Sequence, residues 1–374
     1  MLKRKFMKIL QIYKTYTPDS FGGIEQVIKN IVAETTLLGA EHHLCTLSNC
    51  PRQDTIAGLG VSRFNKNFEI ASCPFSVDFF SHIKEISQNY DLIHYHYPWP
   101  FADFTHLLRR INMPYLITFH ADALKNNWLK QLYRPFQQRF LAKAQHIVAT
   151  SAPLLASSPD LRAYQRKCSV IPLSIRAEDY PAAFPERLDH WRERVGEDFA
   201  LFVGVLRHYK GLPILLAAAA RTPMKIVIAG AGPLEAELKA TVAAQGLKNV
   251  YFAGRVSEAD KIALLTLSRL VVLPSTHRAE AFGISLLEGL LFKKPLISTE
   301  LGTGTSFVNQ HGRTGFVVPP FDAKALSEAL TCFHSDATLA AKMGEAGYQW
   351  FLEQFQSAII GHHYDALYRQ LISR

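Results

Sequence analysis

Short apolar runs alternate with amphipathic stretches along almost all of this 374-residue chain. In the first half KILQIY, HHLCTLS, DLIHYHY, PYLITFH and HIVATS read as buried strands. Helical patterns lie between several of them. The clearest is GGIEQVIKNIVAETTLLG, in which Ile24, Val27, Ile28, Ile31 and Val32 recur at helical spacing and Gly39 stands near the end. Strands alternating with helices argue for a parallel sheet covered by helices on both faces.

From Pro172 to Asp198 the pattern changes. Three prolines (Pro172, Pro181, Pro185) and many charges, with little periodicity, read as an inter-domain connection. Alternation then resumes with FALFVGVL, KIVIAGAG, VYFAGRV, LVVLPS, KPLISTE and GFVVPP, and helical segments follow from about Asp322. The expected architecture is α/β, with two Rossmann-like doubly wound domains, 1–185 and 186–374, facing across a cleft. The last helix is expected to pack back on the first domain. In such folds ligands bind at the strand-to-helix loops, so both halves should contribute.

Composition narrows the function classes. At 48% hydrophobic and 20% charged the chain can bury sizeable cores. No apolar run reaches the length of a membrane span, and MLKRKFMKILQIY reads as a basic tail and a first strand, not a signal peptide. Five cysteines lie scattered without metal-ligand spacing, which fits free thiols in a reducing cytoplasm. The net charge of +9 suits anionic partners. No nucleic-acid motif or dense basic run accompanies it, so phosphorylated ligands and a membrane surface are the better candidates.

Several loops carry residues suited to chemistry. Glu280 and Glu288 bracket EAFGISLLE, just after the strand-like RLVVLPS. Glu280 falls in a strand-to-helix turn and Glu288 about two turns into the helix, so the pair can touch two parts of one elongated ligand, with Gly283 admitting phosphates to the backbone. The same pattern also fits an acid at a helix N-terminus plus one surface glutamate. In GVLRHYKGL, Arg207 and Lys210 are cations at the mouth of a βα turn, suited to a diphosphate or simply solvated. GAGP (with Gly230) and AGRV (with Arg255 and Val256) end the next strands. Gly22-Gly23 opens the first helix, and Glu25 in its first turn either favours the helix dipole or accepts from a sugar hydroxyl. His120 emerges at the end of the strand PYLIT, either as a structural histidine or as a donor to a sugar hydroxyl or developing alkoxide. His94 and His96 alternate along another strand. No carboxylate set accompanies them, so no metal is expected.

Glu280 with Glu288, the Arg207/Lys210 loop, GAGP and AGRV occur in one order and resemble the retaining glycosyltransferases of the GT-B fold, family 4. The most specific element, EAFGISLLEGLLFKKP, is similar to that family's segment of two glutamates separated by seven residues. FGGIEQ and FHAD stand at the matching places in the first half. The resemblance implies that Glu280 faces the donor sugar and Glu288 holds the ribose hydroxyls. Arg207 and Lys210 would bind the donor diphosphate and Gly23 would lie at the phosphates. His120 would contact the sugar near the reacting carbon. Gly230, Arg255 and Val256 would line the nucleotide pocket, and Phe282, Gly283 and Leu287 would supply backbone contacts. Gly22 and Glu25 fall to the acceptor side. In many members arginine directly follows the loop glycine. Here that position is Val205, and Arg207 is expected to replace the missing cation.

The resemblance further implies transfer of a hexosyl group with retained configuration and no obligatory metal or other cofactor. ELGTGTSFVNQHGRTGFVVPP and VLRHYKG are similar to segments of bacterial polysaccharide and O-antigen mannosyltransferases. They favour GDP-mannose or a GDP-deoxyhexose such as GDP-rhamnose as donor, and a lipid-linked oligosaccharide as acceptor, at the cytoplasmic face of the membrane. The run from Leu124 to Gln145 holds five basic residues and no acidic one, with Trp128, Leu129, Leu132, Tyr133, Phe136 and Phe140 interleaved. It reads either as a segment lying on anionic lipid or as an ordinary amphipathic helix against the core. The readings left open are a UDP-sugar donor, a sugar-nucleotide epimerase of similar fold, and a non-catalytic nucleotide-sugar binding subunit.

Overall fold

The computed structural model describes residues 6–20, 22–122 and 128–373; of Leu129 only the backbone is described. The chain forms two compact units. The first comprises residues 1–174 and 357–374, and the second residues 175–356. The division falls at Ser174/Ile175 instead of after Pro185, and the last helix, Ser357–Ile372, belongs to the first unit.

The first unit is built on an eight-stranded sheet. Its strands run in the order Cys168–Val170, His146–Ala149, Tyr115–Phe119, Leu92–Tyr97, Met7–Ile12, Ala40–Ser48, Leu59–Asn65, Arg52–Ile56. All neighbours pair in parallel except the last two, which form an antiparallel hairpin. Ala57 and Gly58 supply positive φ angles (49° and 84°) at its two-residue turn. No hairpin is expected from the sequence here, because RQDTI alternates weakly and ends in a turn without an Asn-Gly or Asp-Gly signal. The central strands are buried along their length because helices cover both faces. Helix Gly23–Leu37 buries Val27, Ile28, Ile31 and Val32, and it packs against Ser357–Ile372. Gly361 makes that approach close: a Cβ there would lie 2.3 Å from the Glu34 Cβ.

The second unit holds a six-stranded, wholly parallel sheet. Its order is Val250–Gly254, Ile226–Ala229, Ala200–Val203, Leu270–Leu273, Leu296–Thr299, Gly315–Val318. Chain order therefore reverses between Ala200–Val203 and Leu270–Leu273, which pair directly. Ligands of doubly wound sheets bind outside the carboxyl ends of the strands at such a reversal.

The stretch read as a connection proves to be structured. Pro185–Val195 is a helix that buries Trp191 and Val195 and packs on helix Glu258–Leu267. Its apolar contacts fall at a few helical-spaced positions, and charges cover the remainder, so its periodicity is faint. Trp191 Nε1 donates to Asp260 Oδ1 at 3.1 Å and ties this helix into the second unit.

Candidate active site

The two strands at the reversal in the second sheet deliver a nearly buried charged pair. Leu270–Leu273 leads into Pro274–Gly283, which carries Glu280. Ala200–Val203 leads into Gly204–Gly211, which carries Lys210. Lys210 Nζ lies 2.5 Å from Glu280 Oε2, and both side chains are nearly buried. Ser275 Oγ donates to the same oxygen at 3.1 Å, and Thr303 Oγ1 donates to the Glu280 carbonyl at 2.8 Å. Burial works against the Lys210 ammonium. The Glu280 carboxylate and the Tyr209 side chain outweigh it, so the lysine pKa is raised and it stays charged.

Glycines hold these loops against one another. Gly211 is left-handed (φ 71°), and a Cβ there would come 1.9 Å from the Pro274 carbonyl oxygen. A Cβ on Gly230 (φ 145°) would come equally close to the Gly204 carbonyl oxygen. Gly283, also left-handed (φ 87°), caps helix Ile284–Leu291. Phe282 and Leu287 are buried beside that cap, Phe282 edge-on to Phe355. Arg207 projects into solvent from the same loop as Lys210, and Val205 is half exposed at 49%. Arg255 is exposed and Val256 half-buried after strand Val250–Gly254.

Glu288 lies farther along helix Ile284–Leu291 and is 5% exposed. Its Oε1 receives Lys261 Nζ at 2.7 Å and the Tyr180 hydroxyl at 2.8 Å. Both bonds fall on one oxygen, and among the described residues no hydrogen bond to the other is found. Burial opposes the Lys261 charge, but Glu288 and Glu258 restore it and raise its pKa. Neither Lys261 nor Tyr180 is expected from the sequence: Lys261 is one charge among several in EADKIALL, and Tyr180 falls in the stretch read as connection.

In the first unit His120 follows strand Tyr115–Phe119, and its backbone N–H donates to the Tyr97 carbonyl at 3.0 Å. It is 3% exposed. Burial lowers its pKa to about 3, so it is neutral. His96 Nδ1 lies 3.2 Å from His120 Nε2, and the two rings stack. The His120 Nδ1 is buried with no hydrogen-bond partner among the described residues. His94 bonds the Tyr368 hydroxyl and Thr118, so both strand histidines are held by hydrogen bonds within the unit. Glu25 is buried in the first turn of its helix, and its Oε1 accepts from Thr15 Oγ1 at 2.9 Å and Ser20 Oγ at 2.5 Å. Gly22 is exposed at the cap, where a Cβ would crowd Glu25, and Gly23 is the first helical residue.

Of the basic run, residues 124–127 lie outside the described residues. The remainder forms helix Trp128–Lys143, which buries Phe140 and Leu141 and leaves Trp128 and Leu132 66% and 64% exposed. Among the described residues no helix is long and apolar enough to cross a membrane.

This fold is shared by solved structures. The fold is that of the GT-B glycosyltransferases. Sucrose-phosphate synthase from Thermosynechococcus elongatus superposes with a TM-score of 0.81 at 20% identity, covering 98% of this chain and 99% of that one. HepE of Anabaena, solved in complex with UDP and glucose, superposes with 0.79 at 19% identity, covering 98% and 100%. Residues 185–350 match the family model of glycosyl transferases group 1, and residues 21–179 that of glycosyltransferase family 4. The chain is 43% identical over 370 residues to the D-rhamnosyltransferase WbpZ of Pseudomonas aeruginosa, covering 98% of this chain and 92% of that one. It is 44% identical over 368 residues to the O-antigen chain mannosyltransferase C of Escherichia coli, covering 98% and 99%. The chain belongs to glycosyltransferase family 4, and it is a glycosyltransferase.

Proposed function

We propose that this enzyme moves a mannosyl or deoxymannosyl group from a GDP-sugar to a lipid-linked oligosaccharide in O-antigen or related polysaccharide synthesis, with retained anomeric configuration. The two relatives at 43% and 44% identity, one named a rhamnosyltransferase and one a mannosyltransferase, support the sugar class. The observation that carries the site is the buried Lys210–Glu280 pair at the reversal of the second sheet.

In this reading Lys210 and Arg207 face the donor diphosphate and offset the charge that develops as it leaves. Glu280 orients the sugar, and Glu288, braced by Lys261 and Tyr180, takes the ribose hydroxyls. Gly230, Gly283 and Gly23 give the backbone close approach to the nucleotide and its phosphates, with Arg255 and Val256 beside the base. Phe282 and Leu287 present backbone groups. Gly22 and Glu25 serve the acceptor side. The bond from the anomeric carbon to the phosphate oxygen breaks, and the acceptor oxygen bonds to that carbon on the same face. The acceptor proton passes to the departing phosphate. The protein acts by positioning and by charge, and the reading requires no metal. On the acceptor side, the exposed Trp128 and Leu132 with Arg134 and Arg139 suit the surface of an anionic bilayer.

The test is a thermal-shift series with GDP-, UDP- and ADP-sugars, followed by release of nucleoside diphosphate in the presence of a lipid-linked acceptor. Specific donor binding stabilises the fold by mass action. Stabilisation by GDP-mannose or GDP-rhamnose, with acceptor-dependent GDP release, is expected. Turnover of a UDP-sugar with no response to GDP-sugars would refute the donor assignment.

A further inference from the structure

A continuous chain of buried hydrogen bonds runs beneath the first sheet to His120, and the direction of its protons can be read from one end. Thr35 Oγ1 lies 2.6 Å from the Ile31 carbonyl oxygen, which can only accept, so the threonine proton is committed there. Thr35 Oγ1 must then accept from His42 Nε2, 2.7 Å away. Burial lowers the His42 pKa to about 3, so the ring is neutral and its Nδ1 is bare. That Nδ1 accepts from the Gln11 amide nitrogen at 3.1 Å. The Gln11 amide oxygen therefore faces His96 Nε2 at 2.9 Å and accepts its proton. His96, neutralised by burial with help from His94 and His120, keeps Nδ1 bare toward His120 Nε2.

A side branch agrees. The Gln11 amide nitrogen also donates to the Tyr368 hydroxyl at 3.3 Å. Tyr368 then donates to His94 Nδ1 at 2.8 Å, and His94 Nε2 donates to Thr118 Oγ1 at 2.7 Å. The threonine proton is left for the Tyr364 hydroxyl at 2.9 Å. On the branch from Thr35 to His120 each donor meets an acceptor, and reversing one link there breaks the order at Thr35.

We propose that His96 is a positioning residue that fixes His120 as the Nε2–H tautomer, so that the buried, unpartnered Nδ1 of His120 accepts a hydrogen bond from a hydroxyl of the transferred sugar. A bare lone pair on a neutral ring repels phosphate oxygens and offers nothing to a developing alkoxide. It selects a donor group, and hydroxyls are the donors a hexose carries. The sequence-based expectation that His120 donates is thereby inverted. Gln11 and His42, with no contact to a substrate, set the polarity through His96.

The inference rests on the reading that His120 meets the donor sugar, and the test separates the two. In protein labelled with ¹⁵N-histidine and free of substrate, His120 should show a protonated Nε2 and a bare Nδ1, its signals identified by their loss in His120→Leu. An Nδ1–H form would overturn the inference whatever the donor proves to be. His96→Asn keeps an oxygen close to the Nδ1 position and should retain the tautomer and most of the turnover. His96→Leu, which lacks an acceptor, should lose the tautomer and lower kcat about tenfold, the scale of one hydrogen bond. Equal spectra and rates for the Asn and Leu variants would overturn the role of His96. Monodeoxy and monofluoro analogues of the donor that is turned over then read the polarity. At one position both analogues should lose about tenfold in the wild type, because fluorine cannot donate, and neither should lose further in His120→Leu. A fluoro analogue as good as the parent would show that His120 donates, and would overturn the proposal. Failure of every GDP-sugar to react refutes the donor reading and leaves the tautomer result standing.

Discussion

Lys210 and Glu280, 70 residues apart in the chain, meet at 2.5 Å with 13% and 9% of their side chains exposed. The two loops that bring them together leave adjacent strands of the second sheet. A buried pair of this kind gains little against an apolar substitute, but breaking it strands a charge. The raised Lys210 pKa gives the sign of the pH effect. The pair's stabilisation is complete below the unfolded lysine value of 10.5 and is lost as pH climbs through the higher folded value.

Replacing Lys210 by Ala should therefore cost stability as well as turnover. If Lys210 faces the leaving diphosphate as proposed, its loss should lower kcat by roughly 10²–10³-fold. The stranded Glu280 carboxylate is expected to cost about 3–5 kcal/mol in urea unfolding of the second unit. The double variant Lys210→Ala/Glu280→Ala should recover much of the stability and none of the activity. Equal destabilisation of single and double variants would contradict the pairing.

Arg207 separates the two effects. It is exposed and no hydrogen bond to its side chain is found among the described residues. Arg207→Ala should leave the urea midpoint unchanged while weakening donor diphosphate binding and turnover about tenfold or more. An unchanged rate would mean that the cation missing at Val205 is not supplied from this position.

Tyr180 tests the far end of the proposed donor site. Tyr180→Phe removes one hydrogen bond to Glu288 and leaves the Lys261 ion pair in place. Nucleotide affinity, measured by calorimetry, should fall about three- to tenfold with little change in kcat once donor is saturating. A change in kcat alone would place Glu288 away from the ribose.

The first unit should be most stable at about pH 7, where proton uptake by its histidines in the unfolded chain balances the proton kept by Asp103. His42, His94, His96, His106 and His120 are all buried with lowered pKa values, each first because burial disfavours the charged ring. The unfolded chain takes up protons below about 6.5 and the native chain does not, so stability falls on acidification, by about 1.4 kcal/mol per pH unit for each histidine. Asp103 acts in the opposite direction. Burial raises its pKa to about 8, against a donated bond from Tyr133 that lowers it. The native acid keeps a proton that the unfolded chain has lost from pH 3.8 upward, so stability declines as pH rises toward 8. Hydrogen exchange of Leu92–Tyr97 and Tyr115–Phe119 across pH 5–8.5 reads the maximum; a monotonic trend would contradict it.

All six strands of the second sheet and five of the eight in the first were legible because each is a short apolar run. Lys210, Glu280 and Glu288 stood out because each follows such a run at a fixed place, Glu288 already inside the next helix. The hairpin Arg52–Ile56/Leu59–Asn65 was not legible: it rests on Arg63, buried and bonded to Asp19 and Asp54 at 2.8 and 3.0 Å, an arrangement no local pattern announces. Helix Pro185–Val195 was hidden by its charges. Lys261 and Tyr180 gain meaning only once the fold brings them to Glu288. His94 and His96 stood out as an alternating pair, but their partners Tyr368 and Gln11 lie 274 and 85 residues away along the chain, and spacing along a strand carries no trace of them.

The helix Ser357–Ile372 has a consequence for how the molecule is made. It puts Tyr364 and Tyr368 into the buried polar chain of the first unit, yet it is translated after the whole of the second. The unit whose strands emerge first from the ribosome is thus the last to be completed. Until residue 372 has been released, Gln11 and His94 wait beneath an open sheet face, while the second unit, continuous from 175 to 356, is free to fold on its own.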